Sequence, residues 1–223
     1  MRALLLTLVL GASLTARAQG LPPSEPYAPP ARLLVNEVRT QVGLLVGGYG
    51  FEGGGWDDAF FLNSTSGHYL FGGFTAEAGL LSLVPLERGG PQSSYALSAR
   101  LGYTGERWSV LAGPVLQATY PGSPLIQVLP SVKGRYRLGE VTLDAAVLDQ
   151  QGMVPAHVGA TYGPVGLAYV LPLGARAHAR IPLSPRVALL VEGFAFRLSS
   201  ARSAMLTVGI VGIPPSSRSG ATP

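Results

Sequence analysis

Residues Ser94 to Thr104 place the strongest constraint on what this chain can fold into. Tyr95, Leu97, Ala99, Leu101 and Tyr103 occupy alternate positions, with Ser94, Ala96, Ser98, Arg100, Gly102 and Thr104 between them. Successive side chains leave a strand on opposite sides, so a period of two marks a strand whose faces meet different surroundings. Gly105-Glu106 follows as a short turn. Then Trp108, Val110, Ala112, Pro114 and Leu116 alternate with Arg107, Ser109, Gly113, Gln117 and Thr119. Two alternating runs joined by such a turn predict a β-hairpin.

The next pair repeats the pattern. Ile126, Val128, Pro130, Val132 and Tyr136 oppose Gln127, Ser131, Lys133, Arg135 and Arg137. After a turn at Leu138-Gly139, Val141, Leu143, Ala145 and Val147 oppose Glu140, Thr142 and Asp144. Pro114 and the proline inside Gln127–Arg137 cannot donate to a ladder, which predicts bulges or strand ends there. Further strands are expected over 39–51, 68–82, 155–172, 175–183, 186–198 and 202–212. Within 155–172, Gly163-Pro164 reads as either a hairpin turn or a bulge. Single-chain bacterial membrane barrels have even strand numbers, which favours a bulge and about ten strands, with about eight or twelve as alternatives. Residues 52–67 (EGGGWDDAFFLNSTSG) read as the one long loop. No helical stretch separates the strands, which argues against a parallel α/β sheet. The expectation is an all-β, antiparallel, up-and-down β-barrel.

Alternation alone does not say which face meets water. Charged residues make up 13% of the chain, about half the usual quarter, and mean hydropathy is +0.32. No apolar run beyond residue 18 reaches helix-spanning length, so the surplus apolar surface is best placed on strands facing lipid. At the N-terminus, Met1-Arg2, the apolar run Ala3 to Leu14 and Ala16-Arg17-Ala18 have the form of a cleavable export signal over 1–18. Removing it lowers the formal net charge from +4 to +2. A Pro-rich leader is expected over 19–38 and a disordered tail over 213–223, which leaves 39–212 for the barrel.

The polar face carries Glu77, Arg100, Arg107, Lys133, Arg135, Arg137, Glu140, Asp144 and Glu192. In a narrow barrel these are expected to point inward and pair across strands, plugging the lumen. Tyr95 and Tyr103 bracket one strand, and Trp108 and Tyr120 the next, positions that suit two interfacial aromatic girdles. A cleavable signal, a Pro-rich leader, Gly-rich alternating strands and short turns together resemble small bacterial outer-membrane β-barrel proteins. The resemblance spans about 39–212 and implies outer-membrane lipid as the partner and a monomeric barrel. Such proteins often end on an aromatic residue, whereas here the last strand ends Ile210-Val211-Gly212 before a polar tail.

Signals for other functions are sparse. With no cysteine there is neither a disulfide framework nor thiolate chemistry. No basic cluster interleaved with aromatics points to nucleic acid. His68, His157 and His178 have no metal-ligand spacing, and no cofactor is implied. Ser98, His157 and Asp144 are the residues a lipid or ester hydrolase would need, but no motif supports one. Trp56-Asp57-Asp58 reads as an exposed loop tip, because calcium takes six or more oxygens. Gly47-Gly48-Tyr49-Gly50 lacks the lysine and helix of a phosphate loop, and its glycines suit strand bending. The leading reading is a structural or narrow-conduit membrane barrel. A soluble barrel holding an apolar ligand is the alternative, and an enzyme comes third.

Overall fold

A computed structural model describes residues 36–47, 59–87, 93–120, 126–149, 154–198 and 201–212. The expected export signal, the expected leader up to residue 35, the Gly48–Asp58 stretch and the expected tail lie outside the described residues, while the last two residues of the expected leader, Glu37 and Val38, already belong to β1. Twelve strands are present among those described: β1 (Glu37–Gly47), β2 (Ala59–Phe71), β3 (Phe74–Pro85), β4 (Ser93–Thr104), β5 (Trp108–Tyr120), β6 (Gln127–Leu138), β7 (Val141–Asp149), β8 (Val154–Tyr162), β9 (Val165–Val170), β10 (Leu173–Ser184), β11 (Val187–Leu198) and β12 (Ala201–Gly212). Each pairs with its sequence neighbours, and β12 returns to β1 antiparallel, closing a barrel. Closure removes the sheet edges that would otherwise expose unpaired backbone groups.

The leading count of about ten gives way to twelve, one of its two alternatives, through two strands that the alternation hides. The 68–82 stretch contains the end of β2, a turn at Gly72-Gly73 and the start of β3. Both glycines have positive φ, 55° and 91°, which a residue with Cβ rarely adopts. Most of the presumed loop 52–67 is therefore strand β2. Its middle reads Asn63-Ser64-Thr65-Ser66-Gly67-His68, polar on both faces, so no period is visible there. At the second site Gly163, with φ 55°, makes a true turn with Pro164 between β8 and β9. Because β2 also adds a strand, this turn leaves the strand number even. β9 is short, but its ladder continues past both ends, from Leu171 N–H to the Ala156 carbonyl and from Arg180 N–H to the Pro164 carbonyl, each 2.8 Å.

Pro114 and Pro130 face each other across β5 and β6. The β4–β5 ladder lacks the pairs of Ala99 and Arg100 but resumes in the same register, so Pro114 makes a gap and not a bulge. Gly113 accommodates the close approach there. A Cβ on it would fall 1.9 Å from the Ala99 carbonyl oxygen.

The two ends of the barrel differ. Five short turns (72–73, 105–107, 139–140, 163–164 and 185–186) gather at one end with Glu37 and Gly212. The other end carries the connections 48–58, 86–92, 121–126, 150–153, 171–172 and 199–200. They are called here the turn end and the loop end.

Outward residues are apolar. Val42, Leu44, Leu97, Leu101, Val110, Leu167, Val208 and Ile210 are all exposed. A soluble barrel would turn these inward and its charges to water. The observed arrangement is the reverse, an apolar exterior around a polar and charged lumen, as in an outer-membrane barrel. The polar exceptions on the mid-wall form one patch on β1–β3. Thr40 and Thr65 are hydrogen-bonded to each other (3.0 Å), with Asn63 and Ser82 beside them.

Candidate functional site

The lumen holds the densest chemistry in the molecule, and alternation builds it. On β3 and β4, Glu77 and Arg100 are direct cross-strand neighbours on the inner face. Arg100 is 1% exposed. It pairs with Glu77 through Nη1, donates from Nε to Ser131 Oγ (2.7 Å) and from Nη2 to the Leu148 carbonyl (2.8 Å). Glu77 also meets His68 from β2 and Lys133 from β6, the latter at 3.5 Å. A guanidinium with this many acceptors has lost little by leaving water.

Lys133 links this cluster to a second one, bonding Asp149 at 3.1 Å. Asp149 accepts from Arg176 on β10 at 3.2 Å, and Arg176 reaches Glu192 on β11 at 3.1 Å. Arg39 of β1 stands 3.8 Å from Glu192. The chain of ion pairs thus crosses the lumen from β2 through β3, β4, β6, β7, β10 and β11 back to β1. Two further pairs lie beside it: His157 Nε2 with Asp144 Oδ2 at 2.7 Å, and a two-point contact of Arg180 with Glu37 at 2.9 and 3.1 Å.

Asp149 is inward for a local reason. Strict alternation from Asp144 would turn it outward. Leu148, however, has φ 55°, uncommon for a residue with a side chain. This kink directs the Leu148 carbonyl to Arg100 while Asp149 is buried beside Lys133.

Above the ion pairs, toward the loop end, the lumen changes character. Leu45, Phe60, Leu62, Leu81, Leu83, Phe194, Phe196 and Met205 are buried in one apolar cluster, and Leu148 packs against it. Phe194 and Phe196 stack with centroids 5.7 Å apart.

Of the nine charged residues expected in the lumen, Glu77, Arg100, Lys133, Arg135, Arg137, Asp144 and Glu192 project inward. Two are corrected. Arg107 lies in the turn before β5 and is exposed. Glu140 lies in the β6–β7 turn, also exposed, where it accepts from the Tyr162 hydroxyl. Both sat at the ends of alternating runs, where the chain has already left the sheet. Sequence reasoning missed Glu37, Arg39, His68, Asp149, Arg176 and Arg180. In Ala175–Arg180 the outward residues are alanines, which mark an apolar face weakly. The hydrolase trio does not assemble. His157 bonds Asp144, but Ser98 Oγ is buried with no hydrogen-bond partner. No group of three or more metal-ligating side chains occurs among the described residues.

On the exterior, Tyr69, Phe71, Phe74, Tyr103 and Trp108 form a continuous run of ring contacts along the turn end, with Tyr103 and Trp108 centroids 5.4 Å apart. Tyr95 is outward in the loop-end half of β4. Tyr120 ends β5, and its side chain lies outside the described residues.

No family model matches the chain, and no curated protein is found similar to it. Among solved structures it is similar to the KdgM porin in complex with disordered oligogalacturonate, at 11% identity over 79% of this chain and 98% of that one, TM-score 0.47. It is also similar to outer membrane phospholipase A from Escherichia coli (12%, 80% and 96%, TM-score 0.44) and to neisserial surface protein A (12%, 80% and 96%, TM-score 0.36). No activity is carried over from them. The chain's own two faces define it as an outer-membrane β-barrel protein.

Proposed function

We propose that the protein is a closed, structural barrel of the outer membrane, monomeric within the limits of its own wall, and not an open pore or an enzyme. One observation carries this reading: the lumen is occupied twice over, by an apolar cluster in its loop half and by a cross-lumen chain of ion pairs beneath it. Buried apolar and ion-paired side chains spanning the lumen work against an aqueous path. The aromatic run at the turn end and Tyr95 toward the loop end serve as the interfacial girdles, in contact with membrane lipid. Short turns and both strand termini share one end, which is placed in the periplasm, with residues 1–18 as the export signal.

Planar-bilayer recording tests the closed lumen. The purified full-length mature chain, inserted and shown to be folded by heat-modifiable migration, is expected to give flat traces. Stable ohmic steps would overturn the closed reading.

A further inference from the structure

The exterior carries one pair of like charges that nothing in the barrel explains. Arg197 on β11 and Arg202 on β12 are direct cross-strand partners at the loop end. Both are exposed and both lie on the outward face, since Phe196 and Ser203 beside them are buried inward. Neither has an acidic partner among the described residues. Like charges directly opposite on a sheet are destabilising, so an anion held between them would relieve their repulsion.

Its surroundings indicate which anion. One row nearer the membrane centre, Ala175, Ala195 and Ala204 are register partners, and the next row adds Ala177, Gly193 and, on β12, the exposed Leu206. Tyr169, outward on β9, is the register partner of Ala175. The arginines therefore stand one outward row beyond Tyr169, an aromatic of the kind found where hydrocarbon gives way to headgroups. Beneath them the β10–β11 strip carries only alanine and glycine in these two rows, with Leu206 at its edge, so apolar chains can lie flat along it. Guanidinium groups match phosphate oxygens in two-point contacts.

We infer that Arg197 and Arg202 together bind the phosphate of an anionic membrane lipid in the loop-end leaflet, with its acyl chains along the alanine-lined wall. A lipid is favoured over a soluble phosphate because both side chains leave the lipid-facing side of the wall. The inference rests on the membrane reading above, and under that reading's orientation the leaflet is the outer one.

The test uses the full mature chain and its Arg197→Gln/Arg202→Gln variant. Both are first folded into phosphatidylcholine vesicles and checked for heat-modifiable migration. Native mass spectrometry from neutral detergent then counts adducts with phosphatidylglycerol, with a phosphorylated glycolipid (lipid A), with phosphatidylcholine and with inorganic phosphate. Retained anionic lipid on the parent chain is expected, with apparent affinity about tenfold weaker in the variant. Arg197→Lys/Arg202→Lys should recover part of the loss, and Arg107→Gln/Arg186→Gln at the turn end should change nothing. The two anionic lipid arms show whether a phosphodiester or a glycolipid phosphate is preferred. Equal retention by parent and double-glutamine variant overturns the site, as does inorganic phosphate binding as well as lipid. Failure of the parent chain to insert into vesicles overturns the membrane reading instead.

Discussion

The two halves of the lumen are filled by different physics. In the loop half, Leu62, Leu83, Phe194 and Phe196 fill it by volume. In the layer beneath, called here the turn half although Asp149 and Arg176 lie nearer the loop ends of their own strands, Glu77, Arg100, Lys133, Asp149, Arg176 and Glu192 fill it by mutual pairing. Packing is tolerant, because any apolar group of similar size fills the same space. A buried ion network is not, because each charge depends on particular partners and an orphaned one has no water to turn to. The loop half should thus be robust to substitution and the turn half brittle.

The sharpest way to break this contrast is Glu77→Ala. It orphans Arg100, which is 1% exposed, and removes a partner from both His68 and Lys133. The expected loss is about 3–5 kcal/mol, read as a shift in the urea midpoint of the vesicle-inserted barrel. Glu77→Gln should keep most of that loss, since the amide restores shape but not charge. If the glutamine variant is as stable as the parent, charge is not what holds the turn half together.

In the loop half the corresponding pair is Leu62→Ala and Leu62→Met. Leu62 is 0% exposed within the apolar cluster. The alanine variant should lose about 2–5 kcal/mol through the cavity it leaves. The methionine variant, near in volume, should lose under about 1.5 kcal/mol. The comparison lies in the conservative members. Leu62→Met should be mild where Glu77→Gln is severe, and similar losses for both would erase the distinction between the halves.

The sequence made these two regions legible to different degrees. Strands with one apolar and one polar face, such as β4 and β5, could be read residue by residue, inward arginine included. β2 could not. Its outward Asn63 and Thr65 stand beside its inward Ser64 and Ser66, so the contrast between faces vanishes. β8 and β9 were merged because Gly163-Pro164 supports two backbone paths, which only the pairing of the neighbouring strands decides. For the lumen, seven of the nine expected charges are inward, because alternation alone sets which face a side chain leaves from. The pairings themselves were not readable. Lys133 meets Asp149 only because a left-handed residue at 148 turns the end of β7. Arg176 was hidden among alanines. The apolar cluster was also missed, since a small barrel of inverted polarity gives no reason in its sequence for inward Leu45, Phe60 or Leu81.

The smallest expected effect tests how complete the charged half is. Among the described residues, the buried side-chain atoms without a hydrogen-bond partner are Arg39 Nε, Ser98 Oγ, Ser109 Oγ, His157 Nδ1 and Arg176 Nε. None belongs to the apolar cluster. The three on Arg39, His157 and Arg176 come with side chains whose other atoms are paired, so they cannot be deleted without loss. The two serine hydroxyls can. A buried hydroxyl left unsatisfied costs about 1–3 kcal/mol, so removing it should recover part of that cost. Ser109→Ala is therefore expected to raise the urea midpoint slightly, by about 1 kcal/mol in stability, where most buried polar-to-alanine changes lower it. A lower midpoint would mean that Ser109 Oγ is hydrogen-bonded by lumenal water. The turn half would then be a wet network and would close less firmly than the loop half above it.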